Sequence, residues 1–284
     1  MLRRLWHGGM LRLLQVRSAR NALTALPRAD LSWVCVESAT QHPRESVLNE
    51  SIETQLHELA VGCRVLHMEG HADLTLGHLA YRDPAGRGVW LKRSGIALAE
   101  VRGPADFVLL DWNGRRLAGE GRIHKEWPIH TEIMKARPDV VVCGHSHPFH
   151  ATLFSALDVA LEPVTNEAAY LGGPPGRFDM TTGLIDTPAL GAGLAAALGA
   201  ASTVLMRNHG ISYVGASVAQ CVLMGLFLER ACCSQLTLLS TSLPYQSTPR
   251  AELEAKLGQI FDEPLVANFW AFYQRRLAAA DLAG

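Results

Sequence analysis

Between Gly77 and Gly121 the chain alternates short apolar runs with turn residues, spaced too closely for helices to intervene. GHLAYRD (Gly77 to Asp83) reads as a strand, PAGRG as a turn, and VWLKRSG (Val89 to Gly95) as a second strand entering another turn. FVLLDWNGRRLAGEG (Phe107 to Gly121) follows as a hairpin with Asn113-Gly114 at its tip, the pair best suited to a two-residue turn. Connections this short join antiparallel strands, because a parallel pair needs a crossover of a dozen or more residues. The chain is thereby committed to a sheet with hairpins in it.

Helical patterns surround these strands. Apolar residues recur at helical spacing from Ser51 to Gly70, where glycine supplies a stop. Glu126 to Ala136 is a short helix with Pro128 near its start, where a missing N–H costs little. Asp139 to His147 (DVVVCGHSH) is a buried-type strand, and Ala151 to Leu157 is helical. Ala189 to Leu198 is an Ala- and Leu-rich helix, and Ser202 to Gly210 (STVLMRNHG) is a strand ending at a histidine and a glycine. Ser217 N-caps a long helix reaching Leu239, and the tail from Arg250 to Ala280 holds two helices around Pro264. The expected fold class is therefore α/β in the broad sense (α+β, three-layer): a central, mostly antiparallel or mixed sheet covered by helices. A single domain is expected over residues 46–284. Residues 1–45 are set aside as an N-terminal extension, because the first 29 carry six arginines, no lysine and no acid. That pattern fits an organelle presequence or an over-extended start.

Composition removes several functions. With 26 Lys and Arg against 27 Asp and Glu, the formal net charge is −1, which offers nothing to nucleic acid or an anionic membrane surface. There is no GxGxxG opening a helix and no GxxxxGK[ST], so a nucleotide fold has no support. Six cysteines show no CxxC spacing, which points to a reducing, cytoplasmic compartment. No run of about 18 uninterrupted apolar residues suggests a membrane span.

The chemistry concentrates at strand ends. His145 and His147 are two apart, so alternation turns both imidazoles to one face, behind the stiff run Val140-Val141-Val142. His209 ends a second apolar strand and is followed by Gly210, where the backbone can turn sharply. Three neutral imidazoles on two rigid elements suit a catalytic divalent ion with an open position. Zinc, manganese, iron(II) and cobalt all accept such ligands. Glu126 by itself also fits a first-turn acid favoured by the helix dipole.

The string HKEWPIHTEIMKARPDVVVCGHSHPFHATLFSA (His124 to Ala156) resembles the signature of the class II aldolase/adducin family, and so does VLMRNHGISYVGASVAQCVLMGLFLERACC further on. The likeness begins near Leu56, runs through DLTLGHLAYRDP and VWLKRSGIAL, and fades after about Leu239. It implies a class II aldolase-like fold, with His145, His147 and His209 holding one divalent ion and Glu126 moving a proton beside it. It also implies a homo-oligomer, expected to be a tetramer.

Departures from the family pattern shape the substrate expectation. Relatives that act on sugar phosphates hold the phosphate with a small Asn, a Ser/Thr-Gly turn and a Ser-Ser pair. Here Ser94-Gly95 survives, the Asn position reads His78, and the Ser pair reads His124 and Lys125. Imidazoles and an ammonium suit a carboxylate or phenolate better than a tetrahedral phosphate. His78, Ser94, Gly95, His124 and Lys125 are the expected substrate-binding residues, for a small anionic molecule. Asn166 and Glu167 stand where the aldolases bring in a partner's tyrosine, with Tyr170 nearby; Arg177 and the aromatics Phe269, Trp270, Phe272 and Tyr273 are candidates to cover a flat substrate. The chain looks closest to the 3,4-dihydroxyphthalate-type decarboxylase branch, which implies a metal-dependent carbon–carbon lyase. An aldolase and a non-catalytic adducin-like module are the alternatives.

Overall fold

The computed structural model describes residues 52–260 and 262–283. The extension expected over residues 1–45, and its boundary, lie outside the described residues. From the first described residue the chain runs α1 (Ile52–Met68), β1 (His78–Arg82), β2 (Gly88–Lys92), β3 (Phe107–Asp111), β4 (Arg116–Ala118) and α2 (Trp127–Ala136). Then come β5 (Val142–Ser146), α3 (Phe149–Ser155), α4 (Asn166–Tyr170), β6 (Gly176–Phe178) and α5 (Pro188–Leu198). Last are β7 (Thr203–Met206), β8 (Gly210–Gly215), α6 (Val218–Thr241), α7 (Arg250–Ile260) and α8 (Glu263–Ala283).

The eight strands form one sheet in the order β4-β3-β2-β1-β5-β8-β7-β6. Every pairing is antiparallel except β6 with β7, so the expected mixed sheet under helices is what forms. The Asn113-Gly114 turn closes as its sequence requires. Asp111 Oδ1 accepts from the N–H groups of Asn113 and Arg115, and Gly114 takes φ +81°, a conformation that costs glycine little.

Two apolar layers sandwich the sheet. On one face Leu59, Cys63 and Leu66 of α1 pack with Val222 and Leu226 of α6 and Trp270 and Tyr273 of α8. On the other, Ile129 and Ile133 of α2 meet Leu194 and Leu198 of α5. Helix α6 is long and apolar enough to cross a membrane by length and composition, yet over half of its apolar window is buried in this core. Its N-cap is Ser217, whose Oγ accepts from the Gln220 N–H.

Four elements differ from the expectation. The strand expected over Ser202–Gly210 stops at Met206, and Arg207 to His209 form a hairpin turn in which Asn208 takes φ +54°. Asparagine tolerates that left-handed region far better than most residues do. The returning strand β8 was not expected, and nor were α4 and β6. Strands and helices this short carry too few residues to display a period.

Candidate metal centre

Registers bring the histidines together. His78 of β1 lies opposite His145 of β5, and His145 lies opposite Ser212 of β8. The β7–β8 hairpin then delivers His209 beside them, with its N–H donating to the Met206 carbonyl. Gly210 is needed here for space. A Cβ on it would stand 2.5 Å from His147 Cδ2 and 2.6 Å from the Ser146 carbonyl oxygen. Glu126 is the residue before α2, its side chain making no capping bond to the helix, and Pro128 occupies an early helical position.

The ring nitrogens converge. His145 Nδ1–H donates to the Ile211 carbonyl at 3.0 Å, which leaves its Nε2 as a lone pair facing inward. His147 Nε2 lies 3.0 Å from His145 Nε2. His209 Nε2 is 3.4 Å from Glu126 Oε1, and His145 Nε2 is 3.6 Å from Glu126 Oε2. One donor atom from each of His145, His147 and His209 falls within 4.8 Å of the others. A second group, His78, Glu126 and His145, meets the same criterion, but the one lone pair of His145 can serve only one ion at a time.

Burial tunes His145, His78 and His147 toward ligation. It holds His145 and His78 well below the ordinary histidine range, with neighbouring imidazoles adding to the effect. His147 is lowered by burial and by His209. Glu126 is raised, chiefly by burial, against the opposing hydrogen bond from the Ile185 N–H at 2.9 Å. Neutral imidazoles are what a divalent ion requires.

The donor set also fits an ion on local grounds. His145 Nε2 carries a lone pair, so the 3.0 Å contact is favourable if His147 donates from its own Nε2 or if a cation sits between the two nitrogens. Donation would turn the bare His147 Nδ1 toward Asp73 Oδ2, 3.3 Å away, lone pair against carboxylate. A cation between the nitrogens satisfies all three groups together.

The expected substrate residues separate. His78 Nδ1 is hydrogen-bonded to His130 Nε2 at 2.6 Å, and its Nε2 lies 4.0 Å from Glu126 Oε2. His124 stacks on His78 with ring centroids 4.4 Å apart, but its Nε2 faces Lys92 Nζ at 3.4 Å and its ring also bonds the Arg93 backbone. That places His124 in the wall, with its polar atoms already engaged. Lys125 is exposed, and no hydrogen bond or ion pair among the described residues ties it to the cluster. The ammonium beside His124 is instead Lys92, fully buried and unanticipated, although a lone lysine ending the apolar run Val89 to Leu91 was a signal for it. Ser94 donates its N–H to the Arg122 carbonyl, and Gly95 takes φ +90° in the following turn. These two residues shape the segment that leads to His124.

Other candidates lie elsewhere. Arg177 donates to the Ser155 and Leu157 carbonyls and pins the end of α3. Tyr170, Phe227 and Phe269 form an aromatic cluster that lines a cavity of about 520 Å³ with Phe272 and Tyr273. The cavity at the histidines is a different one, of about 600 Å³, lined by His147, His209 and Asp73 together with Phe149, Leu153 and Leu184. Asp73, His130 and the Ile185 N–H were all missed, since no local spacing links them to the motif.

Comparison with known proteins places this arrangement. Residues 57–236 match the family model described as the class II aldolase and adducin N-terminal domain, well over half of the chain. The chain belongs to the class II aldolase and adducin family. Among relatives, this family member is 28% identical over 242 residues to a 3,4-dihydroxyphthalate decarboxylase of Arthrobacter keyseri, covering 78% of this chain and 93% of the relative. It is 26% identical over 203 residues to the meiotically up-regulated gene 14 protein of Schizosaccharomyces pombe, covering 70% and 79%. Its fold matches an L-fuculose 1-phosphate aldolase from Glaciozyma antarctica with a TM-score of 0.71 at 22% identity, over 84% and 94% of the two chains. Relatives named as decarboxylases and aldolases are lyases, and the His/Glu cluster of this chain could hold a divalent ion.

Proposed function

We propose that this class II aldolase/adducin-family protein is a divalent-metal-dependent carboxy-lyase acting on a hydroxylated aromatic carboxylic acid. The observation that carries the reading is the setting of Glu126. Its two carboxylate oxygens lie 3.4 Å and 3.6 Å from the Nε2 atoms of His209 and His145, in a buried site. His145, His147 and His209 would hold the ion. When bound, it supplies Lewis-acid stabilisation of the negative charge that carbon–carbon cleavage places on a substrate oxygen.

The chain's own groups do the rest. Loss of CO₂ leaves an electron pair on carbon, which must be quenched by a proton. Glu126, with its pKa raised by burial, is suited to carry that proton and deliver it to carbon. The Ile185 N–H fixes Oε1, so that the carboxyl group stays aimed into the cluster. His130 fixes the ring of His78 so that its Nε2 faces the same space.

The cavity wall supports an aromatic rather than a phosphorylated substrate. Phe149, Leu153 and Leu184 line it beside Thr152, Thr182 and Asn208, and no lysine or arginine is among the described residues lining it. A phosphate would find no lysine or arginine side chain there. The relative from Arthrobacter keyseri is named for a decarboxylation of a dihydroxylated aromatic acid, which agrees with this reading. Retro-aldol cleavage of a non-phosphorylated hydroxy-keto substrate uses the same four side chains, and product analysis separates the two, as CO₂ or as an aldehyde.

Glu126→Gln tests the mechanism. The amide keeps the shape but carries no proton, so turnover at saturating metal should fall by about 10²- to 10⁴-fold, roughly 3–5 kcal/mol of barrier. Metal content should remain high, since three imidazoles suffice to hold the ion. A rate within about threefold of wild type would mean that the proton comes from elsewhere.

A further inference from the structure

Among the described residues around the candidate ion site, Asp73 has no part in the proposed acid/base chemistry. It sits on the connection between α1 and β1, with its side chain about half exposed at the lip of the 600 Å³ cavity. Its Oδ2 lies 3.3 Å from His147 Nδ1, at the outer edge of hydrogen-bonding distance. We propose that Asp73 is a positioning residue, one that holds His147 as the Nδ1–H tautomer and so presents the Nε2 lone pair to the metal.

The need for such a residue follows from comparing His147 with His145. His145 has its tautomer set by a backbone carbonyl, because Nδ1–H donates to Ile211 and only Nε2 is left to ligate. Among the described residues, no equivalent carbonyl is hydrogen-bonded to His147. Left alone, a neutral His147 gains by protonating Nε2, since that proton can be shared with the bare His145 Nε2 only 3.0 Å away. The Nε2–H form is the wrong one for binding an ion, because the ligating atom is capped. A carboxylate facing Nδ1 reverses the preference: it attracts the proton on Nδ1 and repels a lone pair there. Carboxylate partners of metal-ligating histidines commonly act in this way, and losing one typically costs 10- to 100-fold in metal affinity.

The position of Asp73 sets its reach. It approaches from the open side of the cavity, whereas Glu126 faces the nitrogens from the α2 side, so the two carboxylates have separate tasks. Asp73 acts on one ligand from outside, and Glu126 faces the space where the substrate reacts.

The inference rests on the metal reading above, and its test separates the two. Full-length apo protein is prepared as wild type, Asp73→Ala, Asp73→Asn and His147→Ala, with folding checked by circular dichroism. Zinc affinity is measured by chelator competition, and imidazole ¹⁵N shifts report the tautomer of His147 in each apo protein bearing it. Asp73→Ala should weaken zinc binding 10- to 100-fold and move His147 from the Nδ1–H toward the Nε2–H tautomer. Asp73→Asn, which can still accept a hydrogen bond without the charge, should fall between. Affinity within about threefold of wild type, or an unchanged tautomer in Asp73→Ala, overturns the role of Asp73, and a large loss in His147→Ala beside it leaves the metal site standing. A wild-type protein that binds no zinc, manganese, cobalt or iron(II) overturns both.

Discussion

At the scale of single residues, burial shifts the protonation of several polar groups in and around the site. Lys92 is the clearest case outside the ligand set. Its ammonium is fully buried, and its nearest polar atoms are the carbonyls of Thr75 and Arg93 and the His124 ring, at 3.4–3.5 Å. Burial pulls its pKa from 10.5 to about 8. Between those values the unfolded chain keeps a proton that the native state has released, so native stability rises with pH across the window. Wild type should therefore gain up to about 3 kcal/mol relative to Lys92→Met between pH 8 and 10.5. Urea titrations of both proteins at matched pH measure this, and parallel curves would show that the ammonium is solvated after all. At the opposite extreme, Lys125→Ala should leave metal affinity unaltered, because Lys125 is exposed and unconnected to the cluster; zinc competition against wild type checks it.

Elements matter here through their ends. β5 stops at Ser146, and the β7–β8 turn brings Gly210 against the His147 ring. Gly210→Ala would drive a methyl group into His147 Cδ2 and the Ser146 carbonyl, at 2.5 Å and 2.6 Å. One of these must move, and the side chain is the softer. The expected result is a folded protein with metal affinity reduced at least tenfold, measured by chelator competition beside a thermal melt. Gly144→Ala behaves differently, because its new Cβ would meet the Tyr213 ring at 2.2 Å, inside the core. Overpacking of that kind costs about 1–3 kcal/mol and should appear as a lower melting temperature. A Gly210→Ala variant with unchanged affinity would show that the hairpin can yield without moving the ligand.

For the molecule as a whole, buried neutral histidines make acid the vulnerable side. Burial takes His71, His124 and His130 each down to about 3. From pH 6.5 downward the unfolded chain binds protons that these rings refuse in the native state, so stability falls on acidification. Each ring contributes about 1.4 kcal/mol per pH unit once the solution is well below 6.5. Against a typical total of about 5–15 kcal/mol, three such rings should unfold the metal-free protein between about pH 5 and pH 4. Denaturant midpoints at pH 7.5, 6 and 5 give the slope, which His130→Asn should reduce by about a third. The expected homo-oligomer also belongs to this scale, and we propose it on the exposed apolar residues near the cavity, Leu74, Phe149 and Leu184 among them. Light scattering of the purified chain measures its size.

The sequence by itself determined the periodic and the contiguous. Hairpins at Asn113-Gly114, the long apolar α6 and the stiff run before His145 were legible because each carries its own period or turn chemistry within a few residues. So were the candidate ligands His145 and His147, by alternation, and His209, at the end of an apolar run before a glycine, while the role of Glu126 came from the family likeness. What needed the tertiary structure was every relation across the sheet. That Lys92 rather than Lys125 is the cation beside His124, that His130 backs His78, and that Asp73 faces His147 are contacts between residues distant in the chain, set by how the strands, α2 and the connections pack together. A one-residue change of register would have turned each side chain to the other face, and no local pattern in the chain records which register forms.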